Sequence, residues 1–405
     1  MENRSRRSVL TLGAALGIAG VAGSVGAPTA WAWSSAGSIA KTDTVTDPFG
    51  VWDDAADAVA ASLLANGQVP AVNAAWQSWI NNSDALPAGL PDNLVAYLRQ
   101  VNKLPSWADA TKLAASERYY KRLSSYLFVS QSLGSGIMSC VIPREARAVY
   151  WSAGGADMKQ RAAKTFTFGY DLDSETAWEP AGHFVVTANK TRLVHAAVRN
   201  LLPQSAHYRA TADQPKPISN GDILRTFHSV ATFAHNNMLK WNISLSPAEQ
   251  DADLHAWQVA LHLLGVQDRF IPASWADAQA QAHQMLWPNL APTSEGVSLA
   301  RTLLGYIEQP TLGIDAGFVN EMVRYLLDDR IGDWLGLPRD YLQAALIRVE
   351  WPLYVAFREG LSRVLPGSFY LFDEFVRGVA MLYLNNGTSP TQTPVTLPTA
   401  NRPGA

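Results

Sequence analysis

Apolar positions recur at helical spacing along most of this chain. WDDAADAVAASLLANG (52–67) opens on acids and ends on Asn-Gly, and PAVNAAWQSWI (70–80) sets a proline at a helix start with Trp76 and Trp79 three apart. SPAEQDADLHAWQVALHLLG (246–265) carries a full set of end signals: Ser246 as N-cap, Pro247 at the first position, Glu249 to close a capping box and Gly265 at the finish. The same periodicity continues through 317–337, 339–365 and 368–387. Alternating runs are almost absent, and HFVVTA (183–188) is the best candidate for a short strand. The pattern predicts an all-α fold without internal repeats, ordered from about Asp47 to Asn386, as one large helical domain over 33–386.

From Leu123 to Pro143 no charge interrupts the sequence, a length close to a membrane span. Gln131, six serines, Gly134 and Gly136 within it favour a buried helix with a small-residue face instead. Such a face admits either a neighbouring helix or a flat ligand, and the sequence does not separate the two. The ends differ in composition. Residues 1–32 combine Arg4, Arg6 and Arg7 with an apolar run and Ala30-Trp31-Ala32, the layout of a cleavable export signal cut after Ala32. Ser5-Arg6-Arg7 ahead of Val9-Leu10 predicts the twin-arginine route, which carries folded proteins to the outside of the cell. Residues 387–405 are rich in Thr and Pro and read as a flexible tail.

Charge and cysteine content narrow the function classes. Without the leader the net charge is about −5, which favours neither nucleic acid nor an anionic membrane surface. The single cysteine, Cys140, excludes an internal disulfide, a zinc-finger cluster, a cysteine-held iron–sulfur cluster and covalent c-type haem; it reads as a buried small hydrophobe. There is no G-x-S-x-G elbow and no H-E-x-x-H helix. His228/His235 and His255/His262 are each seven apart, roughly 10 Å along a helix, too far to grip one ion, and are expected to be helix-face residues.

Three segments carry candidate chemistry. In DMKQRAAKTFTFGYDLD (157–173), Arg161, Lys164, Thr165 and Phe168 share one helix face, readable as a solvated basic face, an anion site or a metal-facing lysine of lowered pKa. In PREARAVYW (143–151), Glu145 has no i,i+4 partner; it is either an ordinary first-turn acid or a base at the mouth of an apolar cavity. In KTRLVHAAVR (190–199), His195 lies between Arg192 and Arg199. Together they suggest a helical haem pocket, with His195 on one side of the iron, Lys164 on the other, and arginines meeting the propionates.

PREARAVYW, QRAAKTFTFGYDL, NKTRLVHAAVR and ILRTFHS, in this order behind a twin-arginine leader, resemble the latex clearing proteins, the rubber oxygenases of actinobacteria. The resemblance covers nearly the whole chain after the leader. It implies one non-covalent haem b per chain in an all-helical fold with a globin-like core. It also implies oxidative endo-cleavage of poly(cis-1,4-isoprene), both atoms of O2 entering the cleaved C=C bond to leave aldehyde and ketone ends. Residue by residue, His195 matches the proximal iron ligand and Lys164 the lysine that takes the distal position in a closed form. Glu145 matches the proposed base, Arg161 and Thr165 match residues beside the haem, Arg192 matches a signature arginine, and Thr226 matches a haem-contacting threonine. The expected protein is secreted, monomeric and not membrane-embedded. A haem oxygenase or oxidase for a small terpenoid, and a non-catalytic haem carrier, are the alternatives.

Overall fold

The helix ends are written in side chains that bond the first free backbone amides. In the computed structural model, which describes residues 31–308, 315–364, Phe369, Asp373 and 394–404, Asp53 caps α1 (Asp54–Ala65) by accepting from Ala56 N. The helices that build the site follow in chain order: α2 (Val69–Ala75), α3 (Ala110–Val129), α4 (Pro143–Trp151), α5 (Met158–Leu172), α6 (Phe184–Leu201), α7 (Asn220–Phe227), α8 (Phe233–Lys240) and α9 (Pro247–Leu263). α9 has the expected capping box of Ser246 and Glu249, and α7 has another, made by Ser219 and Asp222. Among the described residues there are no strands, only the isolated bridges Ser38–Pro272 and Ser152–Asn401. The fold is all-α. The export leader lies outside the described residues apart from Trp31 and Ala32, as does most of 368–387.

HFVVTA is not a strand but the opening of α6. Phe184 through Lys190 are all buried there, and a helix wrapped on every side shows no polar stripe by which to tell it from a buried strand. Lys190 survives this burial by donating to the carbonyls of Trp76 (2.8 Å) and Trp79 (2.6 Å); burial pulls its pKa down to about 8. α6 packs through Val186, Leu193, Ala196 and Ala197 into a core with Ala56, Val59, Ala60 and Leu63 of α1 and Trp76.

The charge-free segment is the end of α3, continued by a π-helical stretch, Ser130–Ser135, and short turns to Val141. The chain then bends by 92° into α4. Among the described residues no single helix is long and apolar enough to cross a membrane; this bent pair passes on length and composition alone, and most of the segment is buried inside the fold. Gly134 marks a close helix crossing, because a Cβ there would collide with the ring of Phe233. A second π-helical stretch, His228–Thr232, lies opposite the first, where Asn237 donates to Ser130 Oγ (2.9 Å). Such wider turns in otherwise regular helices cluster near functional sites.

Both ends of the domain extend further than the sequence suggests. Ser35 bonds back to Thr44, and Ile39 N donates to the Ile271 carbonyl (2.9 Å), so order begins well before Asp47. The expected flexible tail is, over 394–404, a docked segment. Leu397 is 3% exposed within the core of α1 and α6, and the Asn73 side chain bonds both its carbonyl (3.0 Å) and its amide (2.8 Å). Asn401 donates to the Leu201 carbonyl (2.7 Å), and Arg402 lies over Tyr150. Thr/Pro-rich composition hid this because the anchors are two apolar side chains, Val395 and Leu397, and a partner, Asn73, more than three hundred residues away. Leu397→Ala is therefore expected to lower stability by about 2–4 kcal/mol, the cost of truncating a core leucine. Denaturant unfolding checks this, and an unchanged midpoint would mean that the segment is undocked.

Candidate active site

Two opposed demands fix the orientation of α6. Arg192 and Arg199, seven apart, lie along one stripe of the helix, and Asp53 and Asp57 of α1, four apart, stand opposite them. Arg192 bonds Asp53 (2.5 Å) and packs over the Tyr97 ring; Arg199 bonds Asp57 (2.5 Å), which Lys216 also meets (2.5 Å). These arginines are not a solvated stripe, since each is paired with a carboxylate at the α1 interface. Arg192, which the resemblance puts among the cofactor-binding residues, has its guanidinium held by a carboxylate in the α1 interface. His195 sits about 60° from Arg192 and about 40° from Arg199 round the helix, at the edge of the paired stripe.

His195 is unprotonated over the whole physiological range. Burial pushes its imidazole down to about 3, with help from the charges of Arg199 and Arg161. Its Nδ1 is buried and has no hydrogen-bond partner among the described residues. A natural protein seldom buries an unpaired ring nitrogen without a use for it, and a neutral imidazole is a good metal ligand.

Arg161 links the other candidates. Its charge is felt by Glu145, Lys164 and His195 together, so the structure gathers on one region three residues from α4, α5 and α6. α5 starts at Asp157, whose side chain accepts from Gln160 N. This start places Arg161 against Gly154, whose missing side chain leaves room for the guanidinium. The Lys164 pKa is lowered, first by burial and then by Arg161; its amine donates to Thr396 Oγ1 (2.8 Å). Thr165 is exposed, and its hydroxyl returns to the Arg161 carbonyl one turn back (3.1 Å).

Glu145 stands at the start of α4, where Pro143 occupies the first turn. Its carboxylate accepts from Thr226 Oγ1 (2.8 Å). Burial raises its pKa to about 7; the Thr226 bond and the charges of Arg225 and Arg161 oppose the rise, while Asp222, the capping residue of α7, adds to it. Thr226 is exposed although its helical neighbours from Ser219 to Ser229 are buried. Glu145, Arg161, Lys164 and His195 likewise retain accessible surface while protein atoms desolvate them strongly. Side chains that keep accessible surface in such desolvated surroundings mark a cleft between α4, α5 and α6. A carboxyl poised near neutrality, a hydroxyl, two cations and a free imidazole around such a cleft suit proton transfer beside a bound metallocofactor.

The four histidines of the seven-residue pairs have structural neighbours, although the Nδ1 of His235, like that of His195, is buried without a hydrogen-bond partner. His228 bonds Thr232 and Gln281 (2.9 Å each), His235 stacks on Trp275, His255 accepts from Asp109 N (2.8 Å), and His262 meets Asp268 (2.7 Å). Cys140 is buried, its thiol pushed up to about 12. Two contributors escaped the sequence reading. Arg225, adjacent to Thr226, is held by the Met285 carbonyl (2.8 Å) and the Phe49 ring and favours ionised Glu145. Thr396 stood in a segment that gave no sign of order.

Known proteins resemble this chain along its whole length. Residues 118–358 match the family described as "ER-bound oxygenase mpaB/B'/Rubber oxygenase, catalytic domain". The chain is 43% identical to a rubber oxygenase of Streptomyces sp. (strain K30), over the full length of both. Its fold is similar to a solved structure titled "Structure of Latex Clearing Protein LCP in the closed state", with a TM-score of 0.79 and 42% identity, covering 92% of this chain and 98% of that one. With a helical frame, a clustered Glu145, Arg161, Lys164 and His195, and a full-length relative at this identity, the chain belongs to the rubber oxygenase family.

Proposed function

We propose that this chain is a secreted haem dioxygenase that cleaves poly(cis-1,4-isoprene) within the polymer. Each cut consumes one O2 and converts a C=C bond into two carbonyl groups, so that both oxygen atoms are retained in an aldehyde end and a ketone end. Full-length identity to a rubber oxygenase supports the reaction class. The observation that carries the cofactor is the buried, unprotonated His195 with its unpartnered Nδ1. Among the described residues no group of three His, Cys, Asp or Glu could hold a metal ion. A metal bound at His195 therefore arrives with most of its own ligands, as iron does in a porphyrin. His195 and, in a closed form, Lys164 would hold the iron, and Arg161 is the cation available to its carboxylates. When bound, the haem supplies O2 activation.

The protein side chains do the rest. Glu145, poised near neutrality, accepts the allylic proton of an isoprene unit and returns it to the carbon chain as the C=C bond is cleaved, so that the two carbonyl products keep every hydrogen of the substrate. Thr226 holds the carboxylate in place, and Arg161 and Arg225 keep it ionised often enough to act. The buried surroundings keep bulk water from this carboxylate and admit an apolar chain. The protein acts outside the cell after twin-arginine export, as a monomer, which suits work on a particulate polymer.

Purified protein incubated with polyisoprene latex tests this reading. A Soret band with carbonyl-ended oligomers in air and none under argon is expected; a Soret band without products would refute the oxygenase function. Glu145→Gln should lower turnover by about a hundredfold or more, the usual contribution of a general base, with haem content unchanged. The pH profile follows from the raised pKa. Since the ionised form is the base, the rate should climb through an acid limb near 7, set by the pKa of about 7. Thr226→Val, which removes a bond that lowers that pKa, should move the limb to higher pH. A limb that stays put in Thr226→Val would take Glu145 out of the step.

A further inference from the structure

The Lys164 amine is not left to the cleft alone. Its hydrogen bond runs to Thr396, in the segment that closes the chain (2.8 Å). That segment is short, yet it touches the three helices that carry Glu145, Lys164 and His195. It meets α5 at Lys164 itself and the end of α6 where Asn401 donates to the Leu201 carbonyl (2.7 Å). It also meets the end of α4, where Asn401 forms a bridge with Ser152 and Arg402 N donates to the Trp151 carbonyl (3.1 Å). Its anchor is independent of the site: Leu397 is buried in the core, and Asn73 holds its amide and carbonyl in a reciprocal pair. Val395 and Leu397 point inward on either side of Thr396, so extended backbone sets the hydroxyl in one place.

We infer that the C-terminal segment is a strap whose Thr396 positions Lys164, giving the amine a seat away from the cofactor, so that docking of the strap and placement of the lysine are coupled. Thr396 acts through Lys164 and is a positioning residue. The amine has two places it can satisfy its hydrogens in a poorly solvated region, and leaving Thr396 unbonded has a cost. Strap and lysine therefore stabilise one another reciprocally. What Lys164 does once released, namely reach toward a bound haem, rests on the reading of function given above; the seat at Thr396 does not.

Hydrogen exchange on the full-length protein, followed by mass spectrometry of the strap peptide, tests the coupling without reference to haem. The Leu397 amide, bonded to Asn73, is the reporter. Lys164→Met and Thr396→Val should each speed its exchange by about fivefold, the shift in population that one hydrogen bond supports, and Thr396→Ser should restore the wild-type rate. Peptides from α9 should exchange alike in all four proteins, which separates loss of the seat from general destabilisation. Equal strap exchange in wild type and Lys164→Met would overturn the inference, as would a Thr396→Ser protein that behaves like Thr396→Val. In the haem-loaded protein, Thr396→Val and Asn73→Ala should both raise the lysine-ligated fraction seen in the visible spectrum; an unmoved fraction would equally overturn it. Absence of any Soret band would instead count against the reading of function, and the exchange rates would still decide the strap.

Discussion

The pairing of α6 with α1 is the constraint on which the site depends. Two arginines on one stripe of α6 meet two carboxylates at the start of α1, and Lys190 on the same helix is closed off by two backbone carbonyls. Buried pairs of this kind add little net stability over an apolar interface, but removing one partner is costly. Their effect is to fix rotation. With the charged stripe committed to α1, the rotation of α6 is set, and His195 is buried near Arg161 with no neighbouring acid that would favour its protonation.

The same economy of charge governs the cleft. Arg161 disfavours protonation of both His195 and Lys164 while favouring the ionised form of Glu145. Burial works with Arg161 on the two bases and against it on the acid. One guanidinium thus helps keep an imidazole unprotonated, an amine easily neutralised and a carboxyl near its midpoint. The Asp222 carboxylate that caps α7 enters this balance from the other side, so helix capping and site electrostatics share a residue.

Much of this was legible in the sequence, and the failures have physical causes. Capping boxes, proline starts and helical spacing gave the all-α fold and the limits of α9, because those signals are local. The segments bearing Glu145, Lys164 and His195 could be picked out as chemistry without obvious surface partners. HFVVTA misled because total burial erases periodicity. The partner of Arg192, Asp53, lies 139 residues away in sequence, and spacing alone cannot show an ion pair across helices. The C-terminal segment misled for a related reason: composition describes a chain's freedom when alone, and its order here comes from Asn73, Leu201 and Lys164.

The central claim is that His195, set in place by the pairing of α6 with α1, is the group by which the protein holds haem iron. Replacing His195 by Gly and adding free imidazole during haem loading tests it most directly, since imidazole can refill the space as a detached ligand. The account predicts that the variant folds, loses the wild-type Soret band and regains it with imidazole. A His195→Gly protein that carries haem with the wild-type spectrum in the absence of imidazole would contradict it.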